Sequence, residues 1–119
     1  MKRGIGLRYA LAGLLQAVRT ERNMRIHLAA ACGAVAVAAF AGLDRDEWLW
    51  VLLAIAFVIS TELVNTALER LADFSASGRS DPLVKAAKDM GAASVLVAAC
   101  FAVAVGAVVL VPALIGRFS

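Results

Sequence analysis

The sequence predicts an all-α integral membrane protein built as one domain over residues 1–119. Three observations carry that expectation. Hydrophobic residues make up 62% of the chain and mean hydropathy is +0.84, against about 45–50% apolar residues in soluble domains. The excess falls in three stretches long enough to cross a bilayer, which takes roughly 20 residues of helix. Backbone groups in lipid must be satisfied within their own segment, so helices are the expected form of each stretch. A chain of 119 residues is too short for two ordinary domains.

The N-terminal segment, about residues 3–22, reads as an amphipathic surface helix. Leu7, Leu11, Leu14, Leu15 and Val18 recur at helical spacing, while Arg8, Gln16 and Arg19 lie off that stripe. Six of the twelve Lys and Arg residues lie within the first 25 positions, which suits attraction to anionic lipid at the cytoplasmic surface. A helix packed against the rest of the protein would show the same stripe. No uninterrupted apolar core with a small-residue cleavage site occurs in residues 1–25, so this segment is read as retained.

The first span, 26–43, is "IHLAAACGAVAVAAFAGL", and an acidic connector, "DRDEW", follows it. The second span, 48–70, begins with the charge-free "WLWVLLAIAFVIS" and continues into polar residues. The third, about 90–115, is rich in Ala and Gly, like the first, which lets neighbouring helices approach closely. Pro112 falls near its last turn, where a break is tolerable. Residues 74–89, with "SASGRSDP", read as a flexible cytoplasmic loop. The basic N-terminus and the basic 74–89 loop both belong inside by the positive-inside rule. The acidic connector and the C-terminus then lie outside, with Trp48 and Trp50 in the outer interfacial belt. Cys32 and Cys100 sit in apolar runs and read as small hydrophobes. The single histidine, His27, excludes a multi-histidine metal site within one chain.

The second span carries the chemistry. Measured from Glu62 at 100° per residue, Glu69 lies near about −20°, Asp73 near about +20° and Asn65 near about −60°. One helix face therefore holds three carboxylates and an amide. With residue 48 at the outer interface, Glu62 lies about 21 Å in and Glu69 about 31 Å in. The face climbs from lipid depth to water depth. Part of it can thus be an ordinary solvated helix end, but ionisable groups at membrane depth are expensive and usually mark function. Carboxylates at the water end suit Mg²⁺, a hard cation that shares its oxygen ligands with phosphates. The deeper Glu62 suits a general base that takes a proton from a lipid hydroxyl. The segment 21–27 adds Glu21, Arg22, Asn23 and Arg25, and 85–91 adds Lys88 and Asp89, which are parts used in phosphoryl transfer. No Walker loop, kinase glycine loop or Rossmann fingerprint is present, so a kinase site here would be built from helix faces. A small oligomeric transporter using Glu62 and Asn65 in a pore is the reading from a different class. A structural membrane protein with solvated charges is the bland one.

The segments "RTERNMRIH", "ELVNTALERLAD" and "AAKDMGAASVLVAA", in that order around three apolar spans, resemble the small prokaryotic diacylglycerol kinase/undecaprenol kinase family. The likeness runs from about Tyr9 to Val111, and "TERNMRIH" looks more like the undecaprenol kinases of Gram-positive-type bacteria. It implies a homotrimeric helical bundle in the bacterial inner membrane, with sites shared between subunits. The implied reaction moves the γ-phosphate of Mg-ATP to a lipid alcohol at the cytoplasmic interface. Undecaprenol is the favoured acceptor and diacylglycerol the alternative. The resemblance also implies Glu62 as catalytic base, in contact with the lipid substrate, and Glu21 and Glu69 as Mg²⁺ ligands. Tyr9, Asn65, Asp73, Lys88 and Asp89 would join Glu21 and Glu69 around the nucleotide, and Arg25 would lie near the lipid headgroup. The loop between Asp73 and Lys88 is about one residue longer than in the enteric form, and "GRSDP" replaces a Tyr-His pair. Loop residues are therefore not carried over.

Overall fold

A computed structural model describes residues 6–119, which form helices joined by short connectors. They are α1 (Gly6–Thr20), α2 (Arg22–Ala41), α3 (Arg45–Ala76), α4 (Pro82–Val105), a π-helical turn (Gly106–Leu110) and α5 (Val111–Arg117). Residues 3–5 of the expected surface helix lie outside the described residues. Among the described residues, three helices are long and apolar enough to cross a membrane: Arg22–Ala41, Arg45–Ala76 and Pro82–Arg117, the last formed by α4, the π turn and α5 together.

Each junction has a local cause. Between α1 and α2, Glu21 adopts an extended conformation, with φ −114° and ψ 116°. The Arg25 guanidinium then donates to the carbonyls of Val18 (2.9 Å) and Arg19 (3.1 Å), acceptors that a helix C-terminus leaves unpaired. Helix α2 ends at Gly42, whose φ of 70° suits a residue without Cβ. Asp44 starts α3 through a reciprocal capping box. Its Oδ1 accepts from the Glu47 N–H at 2.9 Å, and Glu47 Oε1 accepts from the Asp44 N–H at 3.0 Å. Two carboxylates of the acidic connector thus serve a helix start.

The expected loop over 74–89 is corrected to a five-residue connector, 77–81. Nothing in "FSA" (74–76) breaks a helix, so α3 runs on to Ala76. Ser77 and Gly78, with φ of 52° and 79°, stop it. Helix α4 begins at once, because Asp81 Oδ1 caps the Leu83 N–H at 2.8 Å and Pro82 occupies the first helical position. At the other end of the third span Pro112 does not break the helix. A proline there lacks its N–H and its ring crowds the carbonyl four residues back. The wider π turn absorbs this, with the Val111 N–H bonded to the Gly106 carbonyl.

Helices α2, α3 and α4 run up, down and up, and α3 packs most extensively on α4. The end away from the 77–81 connector holds the apolar core, formed by Ala38, Ala41, Leu43, Val51, Ala54 and Val105. There Phe40 lies 5.7 Å from Phe118, centroid to centroid, and the Arg117 guanidinium stacks 5.4 Å from the Phe40 ring. Outward faces remain apolar, with Leu49, Leu53, Leu96 and Val103 exposed. Asp44→Ala should remove the α3 cap and cost about 1 kcal/mol. The expected readout is a lower unfolding midpoint in detergent with helix content unchanged; an unmoved midpoint would show that the box adds no stability.

Candidate functional site

The inward stripe of α3 begins as Val51, Ala54 and Val58, and continues at the same three- and four-residue spacing as Glu62 and Asn65. The packing register that buries the valines therefore buries a carboxylate and an amide. Glu62 is 3% exposed, Asn65 8% and its neighbour Thr66 6%. One step further along the stripe Glu69 is half-buried, and Asp73 is exposed.

Side chains from the other helices meet this stripe at the end of the bundle near the 77–81 connector. His27 of α2 places Nε2 3.6 Å from Glu62 Oε2. Glu21 precedes α2 but forms no side-chain cap there. Its Oε1 instead accepts from Arg70 of α3 at 2.9 Å, and the same guanidinium nitrogen donates to Thr20 Oγ1. Lys88 of α4 donates to Asp73 Oδ1 at 2.7 Å and ties α4 to α3.

The structure thus brings Glu21, Glu62, Asn65, Glu69, Asp73 and Lys88 to one end of the bundle. Three other candidates take no part in these side-chain contacts. Tyr9 is half-exposed on α1. Arg25 is occupied with the α1 carbonyls. Asp89 is exposed and paired with Lys85 at 2.7 Å. Three residues that the sequence did not place at the site also take part: His27, Arg70 and Gly91. A Cβ on Gly91 would overlap Asn65 Oδ1 and come within 2.8 Å of Leu68 Cδ2. Only glycine lets α4 lie this close to Asn65 without displacing a side chain. Asn65 Oδ1 and Thr66 Oγ1 are buried without hydrogen-bond partners. Such groups are uncommon in folded proteins and call for a ligand or a water.

Mg²⁺ takes oxygen ligands and keeps positions for substrate phosphates. No group of three or more His, Cys, Asp or Glu residues that could hold a metal occurs among the described residues. The usual alternative is that one or two carboxylates and the phosphates share the ion, and Glu21 and Glu69 are carboxylates at this end of the bundle. On the side of Glu62 away from the 77–81 connector an apolar cavity of about 260 Å³ lies between α2, α3 and α4, running from His27 past Ala31 and Val58 to Leu110.

A three-helix apolar bundle with a carboxylate-rich end that opens beside a hydrocarbon-sized cavity defines the class: a membrane enzyme site made from helix faces. The chain belongs to the prokaryotic diacylglycerol kinase family, whose model matches residues 8–110, and it is therefore a lipid kinase. It is similar to the undecaprenol kinase of Bacillus subtilis (strain 168), with 37% identity over 106 residues, covering 89% of this chain and 85% of that one. It is also 37% identical over 111 residues to a diacylglycerol kinase of Synechocystis sp. (strain ATCC 27184 / PCC 6803 / Kazusa), covering 93% of this chain and 63% of the relative. A diacylglycerol kinase of Haemophilus influenzae (strain ATCC 51907 / DSM 11121 / KW20 / Rd) is 32% identical over 93 residues, 78% of each chain.

Gly91→Ala separates packing from function. Replacing a helical glycine by alanine favours the helix by about 1 kcal/mol, which offsets much of the crowding. The unfolding midpoint should move little. Asn65 must swing aside, however, and kinase turnover should fall about tenfold or more. Full turnover in a folded variant would show that the position of Asn65 is not critical.

Proposed function

We propose that this lipid kinase transfers the γ-phosphate of Mg-ATP to the hydroxyl of a membrane lipid alcohol, with undecaprenol as acceptor and undecaprenyl phosphate as product. The observation that carries this reading is the burial of Glu62 beside His27, which lines one end of the apolar cavity. A lipid whose tail lies in that hydrocarbon environment brings its hydroxyl to the one depth at which a base is available. Glu62 accepts the hydroxyl proton, the lipid oxygen bonds to the γ-phosphorus, the bond to the bridging oxygen breaks, and ADP leaves. Glu21 and Glu69 would hold Mg²⁺, which neutralises phosphate charge when bound. The orphaned Asn65 Oδ1 and the cation of Lys88 support nucleotide contacts, with Asp73, Asp89 and Tyr9 completing that set and Arg25 at the lipid headgroup.

The choice of undecaprenol rests on the "TERNMRIH" segment and on the likeness to a protein named undecaprenol kinase over 85% of its length. Diacylglycerol is the second acceptor, favoured by two relatives named for it. The apolar outward faces and the small size of one chain support a homotrimer with shared sites in the bacterial inner membrane. The basic N-terminus supports a cytoplasmic site and an external C-terminus.

Purified protein in mixed micelles with γ-labelled Mg-ATP, offered undecaprenol and diacylglycerol side by side, tests the proposal. Faster labelling of undecaprenol is expected; faster labelling of diacylglycerol overturns the acceptor, and labelling of neither overturns the reaction. Glu62→Gln should keep nucleotide affinity within about twofold while turnover drops about 10²–10⁴-fold, because only proton acceptance is lost. Near-normal turnover would remove Glu62 as the base.

A further inference from the structure

We infer that His27 is a positioning residue for Glu62: its imidazole holds the buried carboxylate in place as the proton acceptor at the polar end of the apolar cavity. The inference rests on the lipid kinase reading and extends it to a residue on another helix.

The inward face of α2 is a stripe at three- and four-residue spacing: Met24, His27, Ala31, Ala34, Ala38 and Ala41. Met24 and Ala38 are completely buried and fix both halves of that face against the bundle. His27 is its single polar member. It therefore cannot turn away from the interior without rotating the helix. On that face it meets Glu62 at 3.6 Å, with side-chain exposures of 23% for His27 and 4% for Glu62.

A carboxylate this buried is costly unless a partner compensates it. The groups facing Glu62 are His27 from α2, Glu69 from its own helix and Glu21 from the α1–α2 junction. Two of the three are acidic. Glu21 already engages Arg70, and Lys88 engages Asp73. His27 is thus the side chain within ion-pair distance of Glu62 that can donate to it. A separation of 3.6 Å is just beyond the roughly 2.7–3.2 Å of an N–H···O bond, so a small side-chain rotation completes one. Because His27 also lines the cavity, an acceptor lying there passes the imidazole before its hydroxyl reaches the carboxylate. A donor on one carboxylate oxygen leaves the other to face that hydroxyl.

The test combines kinetics with a spectroscopic readout on the full chain. His27→Leu should lower kcat about tenfold or more while KM for Mg-ATP and for lipid stays within about twofold, and His27→Gln, which retains a donor, should recover part of the loss. In a Glu62→Gln background His27→Leu should cost nothing further, since the carboxylate it positions is already gone. Unchanged kcat, or the same fold loss in both backgrounds, would overturn the proposal. His27 is the only histidine of the chain, so imidazole ¹⁵N resonances of protein without added histidines report it alone and do not depend on how the leucine variant folds. They should differ between wild type and Glu62→Gln at fixed pH, and identical spectra would overturn the pairing even with kinase activity intact. Spectra that differ, in wild-type protein that phosphorylates no lipid alcohol, would sink the catalytic purpose and the kinase reading together while leaving the contact.

Discussion

Burial of the Glu62 carboxylate constrains everything around it. The side chain lies on the same helical stripe as Val51, Ala54 and Val58, so α3 cannot pack its apolar half without also carrying Glu62 inward. A charge taken out of water needs compensation from fixed groups. That requirement explains why α2 turns its one polar inward residue, His27, toward the same point. It also explains why the polar pairs of the bundle concentrate at one end. Glu21–Arg70 and Asp73–Lys88 hold the approaching helices while Glu62 remains deeper than either.

The two ends of the bundle accordingly obey different physics. Near Leu43 and Val51 the helices are held by close contact of small and branched apolar side chains. Contacts of that kind suit a membrane, where lipid competes with apolar burial but not with tight packing. Near Glu62 the fold keeps polar groups under-satisfied. Gly91 brings α4 against Asn65 and leaves the amide oxygen without a partner. Glu21 forms no cap to its own helix and presents its carboxylate to Arg70 instead. Such local costs are expected where a site is kept ready for a charged ligand.

The arrangement also explains how a chain this small can carry phosphoryl-transfer chemistry without a glycine-rich phosphate loop. Parts that a soluble kinase gathers from strands and loops come here from three helices meeting at one end of the bundle. Acidic groups at the water end suit a metal–phosphate ligand. An apolar cavity at the lipid end suits a hydrocarbon tail. The boundary between them is one buried carboxylate with an imidazole beside it. Because both environments lie along the continuous helices α2 and α3, the distance between them is set by helical rise rather than by flexible loops.

The amino-acid sequence by itself determined the helices, the three apolar spans and the one-sided face of Glu62, Asn65, Glu69 and Asp73. Hydropathy and the 3.6-residue period are local properties of the chain. It also showed that "TERNMRIH" and "AKDMG" belong with that face, through their resemblance to a family. The connector was legible only in part. "SASGRSDP" reads as loop throughout, yet its first residues continue α3 and its Asp-Pro begins α4, because one positive-φ pair ends the first helix and a cap starts the second at once. The tertiary structure alone decided the cross-helix partners: His27 with Glu62, Arg70 with Glu21 and Thr20, Lys88 with Asp73, and Gly91 against Asn65. The physical reason is that a helical period specifies which way a side chain faces on its own helix. It does not specify the rotation and depth of the neighbouring helix, which are set by packing over the whole bundle.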